Sequence, residues 1–378
     1  MNNRTKLISI VLFLLVLILL VSCKKQKAEW KGIIEEVDGV TIVKNPKEPM
    51  CGEEEFQLEE ELVIGRDIKD ADPFLLISYI AVDDEENIYV SDTRECHIRV
   101  FDKDGNPLRT IGTKGEGPGE LMFPSYIQIY SQKEIVIQAR VFLHFFSLQG
   151  EFLRRLNISS IRGPIVNSDG NIIACEGISL NSGSEQKRIL KMFDSELNPI
   201  RTITTSLLET KMPEVHYWEM RWGYIPIHWG VSKEGSFIWG DRTKYEINVL
   251  SREGKLIKKI IKDCIQRKMT EEDKKRLMDE WFDGNPPPPG YTFEFPRYFP
   301  AFHSFACDDD GSILVGTYEE TEDGKEYIYE LFDSQGKYIA RIPHRLRNFI
   351  LKKGKIYTIE EDEEGYYLVK RYKVIWKC

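Results

Sequence analysis

The stretch IAVDDEENIYVSD (80–92), with IRVFDKDGNPLRTIG (98–112) and TKGEGPGELMFP (113–124) following it, decides the fold. Cys96 and His97 lie between the first two segments. Short β-branched and aromatic runs alternate with acidic or glycine-containing turns about every ten residues. Helices need an apolar period near 3.6, whereas this spacing gives consecutive antiparallel strands joined by tight turns.

Working outward, two kinds of turn recur. One joins a first strand to a second, at Asp84–Asn87, Lys133–Glu134, Asp169–Asn171, Glu234–Ser236, Asp310–Ser312 and Lys353–Lys355. The other follows an aromatic or aliphatic strand end and closes at Gly105, Gly150, Asn198, Gly254 and Gly336, in steps of 45, 48, 56 and 82 residues. The shorter steps match a four-stranded propeller blade of about 40–50 residues. Six turns of the first kind predict an all-β, six-bladed β-propeller of four-stranded antiparallel blades, with inner strands near residues 80, 127, 165, 229, 305 and 348. The last blade offers three strands (about 347–351, 355–359 and 366–375), so FQLEEELVIG (56–65) is expected to supply its fourth and close the ring. A hairpin over 31–44, turning at Asp38-Gly39, should lie outside the ring.

Insertions account for the longer steps. Residues 205–228 are rich in aromatics, including Tyr217, Trp218, Trp222 and Tyr224. Residues 262–300 open with a helix signal: Thr270 as N-cap, Glu271 and Glu272 in the first turn, and Asp273 as the reciprocal cap. Leu277 with Trp281 and Met278 with Phe282 give an i, i+4 apolar stripe before Gly284 and the prolines at 286–289. A short helix near 270–282 that covers the propeller's side is expected.

The N-terminus carries Arg4 and Lys6, an apolar run at 7–22, and Cys23. A basic start and a run shorter than the roughly 20 residues of a stable span read as a secretory signal. Leu20-Val21-Ser22-Cys23 resembles a bacterial lipoprotein lipobox. That resemblance implies cleavage before Cys23 and its lipidation, and Lys24 beyond it resembles the outer-membrane default, facing the periplasm. The expected organisation is a signal peptide (1–22), lipidated Cys23 with a tether (23–30), a hairpin segment (31–55) and the propeller (56–378, carrying the 262–300 insertion). The formal charge of −9 and the lack of a basic stripe disfavour nucleic acid as a partner. Beyond Cys23, six cysteines remain, none at C-x-x-C spacing. Zinc and redox motifs are disfavoured, and no pairing is assigned.

Residues 78–124 resemble an NHL-type repeat, through the aliphatic-aliphatic-Asp, N-I-Y-V-x-D and I-x-V-F-D-x-x-G pattern. The trailing G-x-G-P-G-E at 115–120 is similar to that of six-bladed β-propeller lipoproteins of the Bacteroidota. The resemblance implies the same fold and says little of activity, because a fold does not fix one.

Chemistry is sparsely marked. Gly112, Gly115, Gly117 and Gly119 precede a strand rather than a helix, so they read as an inter-blade crossover, not a phosphate loop. Asp308-Asp309-Asp310-Gly311-Ser312 lacks the terminal bidentate acid of a calcium loop and reads as a solvated turn. No hydrolase or zinc signature is present. His228 and His303 precede the inner strands of adjacent blades. His228 is level with Tyr79, Tyr126 and Arg347, while His303 is offset by one. Loops between second and third strands carry Asp92, Arg94, Arg140, Glu176, Asp241, Arg242, Glu319 and Glu360, and the aromatic insertions should reach the same rim. The expected function is a non-enzymatic binding module for a protein, peptide or glycan, with the membrane reached through Cys23. Candidate ligand-binding residues are Tyr79, Tyr126, His228, His303, Arg347, Asp92, Arg140, Trp218 and Trp222. No catalytic residue and no cofactor are assigned. The alternative is a channel-mouth hydrolase or lyase of the NHL-propeller type holding calcium or zinc.

Overall fold

A computed structural model describes residues 29–51, 56–65, 73–130, 133–180, 185–209, 219–221, 227–232, 235–282, 284–286, 292–324, 326–344, 346 and 348–376. Cys23, Trp218, Trp222 and Arg347 lie outside the described residues.

Six four-stranded blades surround one axis, each running antiparallel from an inner strand outward. Blade 1 comprises Ile77–Val82, Ile88–Asp92, His97–Phe101 and Pro107–Ile111. Blade 2 comprises Pro124–Tyr130, Glu134–Ala139, Phe142–Ser147 and Phe152–Asn157. Blade 3 has longer strands: Ile161–Val166, Ile172–Leu180, Glu185–Phe193 and Pro199–Glu209. Blade 4 comprises Ile227–Val231, Phe237–Asp241, Glu246–Leu250 and Leu256–Lys262. Blade 5 comprises Ser304–Cys307, Ile313–Glu320, Tyr327–Phe332 and Tyr338–His344. Blade 6 takes Ile350–Lys352, Lys355–Glu361 and Tyr367–Trp376 from the C-terminal part of the chain and Phe56–Ile64 from the N-terminal part. The ring therefore closes as the sequence predicts.

The core lies between blades, because each twisted sheet buries both faces against its neighbours. Tyr89, Ile98 and Val100 of blade 1 pack on Ile127, Ile135, Ile137 and Phe146 of blade 2. Between blades 4 and 5, Tyr245 and Ile247 meet Phe302, Phe305, Phe332 and Tyr338. Lys262 and Glu330 are buried within this joint as an ion pair, and the phenol O–H groups of Tyr245 and Tyr338 both donate to Glu330. The carboxylate and ammonium thus leave water together, with partners.

The N-terminal hairpin (Ile33–Val37, Val40–Asn45) lies outside the ring, where its second strand runs parallel to the outer strand of blade 4 and makes that sheet six-stranded. Two sequence expectations need correction. The first aromatic insertion begins later than expected, since the outer strand of blade 3 extends to Glu209. The triple-aspartate turn is only partly solvated: Asp308 is buried and accepts from the Gly354 N–H at 2.6 Å, and burial raises its pKa.

The two insertions also meet each other. Glu219–Arg221 and Thr292–Glu294 pair as parallel strands. Helix α1 (Glu271–Trp281) starts with the expected capping box between Thr270 and Asp273. Arg267 and Arg276 both bond Asp273 and Glu320, which fixes the helix to blade 5, and Leu277 packs with Met269 and Phe299. The glycines at 112–119 form the predicted crossover, where Thr113–Lys114 and Glu120–Leu121 pair in parallel.

Candidate functional site

Inner strands alternate side chains between the blade core and the axis. The axis-facing set encloses a cavity of about 900 Å3 along the propeller, bordered by residues from all six blades. Its wall includes Tyr79, Tyr126, Gln128, Tyr130, His228 and Ile350. At the ends of the inner strands that enter from the inter-blade crossovers, the Tyr79 and Tyr126 rings meet at 4.7 Å. Burial pushes the Tyr79 phenol up to about 12 and raises that of Tyr126 well above its ordinary value, so both remain neutral donors at neutral pH. Gln128 is committed to the blade 2–3 joint, exchanging bonds with the Val166 backbone N–H and carbonyl.

His228 stands at the same end. Its ring meets Phe305 edge-on at 4.6 Å and donates to the Phe305 carbonyl; burial, with Arg242 nearby, lowers its pKa to about 4. His303 lies behind the wall. It packs on Tyr318 and Tyr329, bonds Ser304 Oγ through Nδ1 at 2.8 Å, and is held down to about 3 by burial, Arg242 and His228. The one-residue offset noted in the sequence therefore separates the two imidazoles by role: one borders the cavity and the other is packed away. Gly316 permits this, because a Cβ there would lie 2.2 Å from the His303 ring.

Arg242, a loop residue absent from the predicted ligand set, does border the cavity. Its Nε donates to the Phe302 carbonyl at 2.9 Å and Nη2 donates to Tyr318 Oη at 2.8 Å. Its position after a second strand, level with Arg140, was the only sequence signal for it. Asp92 does not belong to the open site. It is fully buried, and its carboxylate accepts from the backbone N–H of Leu75 at 3.0 Å and of Glu95 at 3.3 Å. Arg140 sits on the exposed rim, paired with Glu116 at 2.8 Å. Several rim charges are likewise used internally: Glu176 pairs with Lys191, Glu319 with Arg341, and Glu360 with Lys370.

At the far end of the cavity, Lys352 bridges Asp84 at 2.7 Å and Asp309 at 3.0 Å, joining blades 6, 1 and 5. A calcium or zinc ion, as the alternative reading requires, does not fit the described residues. No three His, Cys, Asp or Glu side chains among them are grouped to hold a metal ion. His303 Nδ1 is bonded to Ser304 Oγ, His228 is bonded to the Phe305 backbone, and the positive charge of Arg242 acts on both rings and disfavours a further cation there.

Similarity to known proteins agrees with this architecture. Residues 69–214 match the family model DUF5128, described as a 6-bladed beta-propeller. A 106-residue stretch is 27% identical to Protein brain tumor of Drosophila melanogaster, covering 26% of this chain and 10% of that one. The chain thus spans about a tenth of the length of that curated relative. Among solved structures, a protein of Bacteroides fragilis NCTC 9343, provisionally described as exported, superposes with a TM-score of 0.55 at 12% identity, over 88% of this chain and 99% of that one. A DUF4221 member from Bacteroides vulgatus ATCC 8482 gives a TM-score of 0.47 at 12% identity, over 85% and 98% of the two chains. The class is a six-bladed β-propeller with a central cavity.

Proposed function

We propose that this protein is a lipid-anchored envelope propeller, acylated on Cys23 and facing the periplasm. It binds a protein, peptide or glycan partner at the end of its axial cavity and the adjoining loops. The observation that carries this reading is the cavity itself. Its volume suits a ligand segment of a few residues or sugar rings, since binding pockets span roughly 300–1,000 Å3. Neutral phenols, an imidazole and aliphatic side chains make up much of its border, with Arg242 at one end and the paired Lys352 and Asp309 at the other, which suits an aromatic or sugar-like contact that also accepts hydrogen bonds. Tyr79 and Tyr126 supply rigid amphipathic surface, and Arg242 and Arg140 supply donors nearby. The basic N-terminal start, apolar run and Cys23 support the anchor, and the likeness to a provisionally exported propeller agrees with an envelope site.

The test is to probe glycan and peptide arrays with the full chain in detergent, beside the Tyr79→Ala/Tyr126→Ala double variant. A ligand whose signal falls at least tenfold with the variant supports the cavity-end site. A ligand bound equally by both proteins would place recognition elsewhere. Native mass spectra before and after chelation check the metal alternative in parallel, because a removable stoichiometric ion would return it to consideration.

A further inference from the structure

Phe123 is a large apolar residue that the fold holds in solvent under strain. It is 52% exposed and has φ +53°, a conformation that a bulky side chain adopts only when its surroundings force it. The proline that follows narrows its choices further. The constraint is visible on both sides. The Pro124 carbonyl receives the hydroxyls of Ser78, Ser91 and Thr93 at 2.9, 2.8 and 2.8 Å. Upstream, the crossover is closed on itself: the Gly115 N–H donates to the Leu121 carbonyl at 3.1 Å and the Gly117 N–H to Glu120 Oε2 at 2.8 Å. Arg155 also donates to the Glu116 carbonyl at 2.9 Å. Strain that many bonds maintain, while half of the residue stays in water, is typical of a position kept for contact with another molecule.

Two further exposed apolar side chains, Leu75 and Val141, belong to the same end of blades 1 and 2. Pro124 pairs with Ala139, just before the turn that carries Val141. Thr93, bonded to Pro124, donates its N–H to the Leu76 carbonyl at 2.9 Å, which places Leu75 on the other flank. Exposed apolar groups gathered on one face mark contact sites. The charge around them differs from that of the whole chain, which is −9. Arg94, Arg155 and Arg162 are exposed, and none pairs with a carboxylate among the described residues. Against them stand exposed Glu95 and Glu116, and Glu116 is already paired with Arg140. We propose that Phe123, with Leu75 and Val141, is the apolar anchor of a docking surface for a protein segment that presents an apolar side chain between carboxylates.

This deepens the function proposed above, on which it rests for the choice of the loop face as the recognition end, and it names a protein as the partner. The segment's apolar side chain lies against the Phe123 ring, and its carboxylates meet the unpaired guanidinium groups. Aromatic and arginine anchors carry most of the energy of such contacts. Because the crossover is already rigid, little ordering opposes binding. A glycan would leave Leu75 and Val141 facing hydroxyl groups. A bilayer is disfavoured by position: the N-terminal segment joins the ring at blades 4 and 5, across from blades 1 and 2.

The full chain in detergent is titrated into fluorescent synthetic peptides that carry Leu or Phe between Asp and Glu residues, and into counterparts with Lys in place of the acids. The acidic set should bind at least tenfold tighter than the basic set. Phe123→Asn should weaken that binding at least tenfold while melting no lower than the parent, because Asn tolerates positive φ. Arg94→Glu should weaken the acidic set alone. No preference for the acidic set, or equal binding by Phe123→Asn, overturns the docking surface; so does a lowered melting midpoint with binding unchanged, which would make the ring a packing residue. Peptides lost by the Tyr79→Ala/Tyr126→Ala variant but kept by Phe123→Asn would leave the cavity-end site standing and remove this surface. The converse result supports this surface and moves recognition off the cavity end. In proteoliposomes of phosphatidylglycerol and phosphatidylethanolamine, Phe123→Trp should show no quenching by brominated acyl chains beyond that of the parent. Added quenching would assign the patch to the bilayer and overturn the protein partner.

Discussion

Among single residues, the histidines carry the clearest physical consequence. His144 is buried against Phe142, Phe146 and Phe152, and burial lowers its pKa to about 4 from an ordinary 6.5. His228 and His303 are lowered as well. Between about pH 6.5 and 4 the unfolded chain binds protons that the folded chain refuses, so this stability is complete above 6.5 and is lost as pH falls. For His144 alone the loss is on the order of 3 kcal/mol at the low end. Thermal melts from pH 7.5 to 4 should show a falling midpoint, and His144→Phe should flatten that slope. A slope unchanged by the substitution would assign the acid sensitivity elsewhere. Below that window, the turn carboxylates Asp102 and Asp194 add to the loss. Their pKa values are lowered, chiefly by Asn106 and Asn198, so protonation releases those bonds. Gly316→Ala should cost about 1–3 kcal/mol by forcing a methyl group into the His303 ring, measurable as a shift in urea midpoint.

Elements are joined around the ring by a repeated device. Arg109 donates to the Leu148 carbonyl, Arg201 to Gly254, Lys258 to Ser334 and Arg371 to Lys103. In each case a basic residue of one blade reaches the turn between the third and outer strands of the next. The same turns dock by their glycines: Gly105 against Leu62 and Ile64, Gly150 against Ile111, Gly254 against Met192 and Gly336 against Ile260. Gly336 has φ +89°, and a Cβ would lie 2.7 Å from Ile260. Gly336→Ala should therefore destabilise the blade 4–5 joint by more than the ordinary cost of about 1 kcal/mol for replacing glycine at positive φ. Removing one exposed latch, as in Arg201→Ala, should cost no more than about 1 kcal/mol. Equal losses from the two substitutions in chemical denaturation would show that steric docking is not the dominant part of the device. At the helix, Thr270→Ala should cost about 1 kcal/mol, seen as faster amide exchange in α1 with the blades unaffected.

Considered as a whole molecule, the propeller is bound together by its N-terminal segment. Residues 33–45 widen blade 4, Met50 and Cys51 bond to blade 5, and Phe56–Ile64 completes blade 6. Asn45 sits at the crossing: its Oδ1 accepts from the Trp30 indole and the Tyr338 N–H, and its Nδ2 donates to the Gly336 carbonyl. Deleting residues 56–65 should expose the third strand of blade 6 and give aggregation in light scattering. Asn45→Ala should leave a folded propeller that melts lower. The blade strands, the ring closure through 56–65, the crossover at 112–119 and the Thr270 cap were all legible in the chain, because alternation, turn chemistry and capping are local properties. The docking of the 31–44 hairpin, the meeting of the two insertions and the burial of Asp92 were not. Each depends on which surfaces approach one another across distant stretches of chain. The same holds at the site: the sequence nominated His228 and His303 together and even showed their offset, yet it could not say which ring would face open space. That was decided by packing, since Gly316 leaves room for His303 behind the wall while Phe305 holds His228 against the cavity.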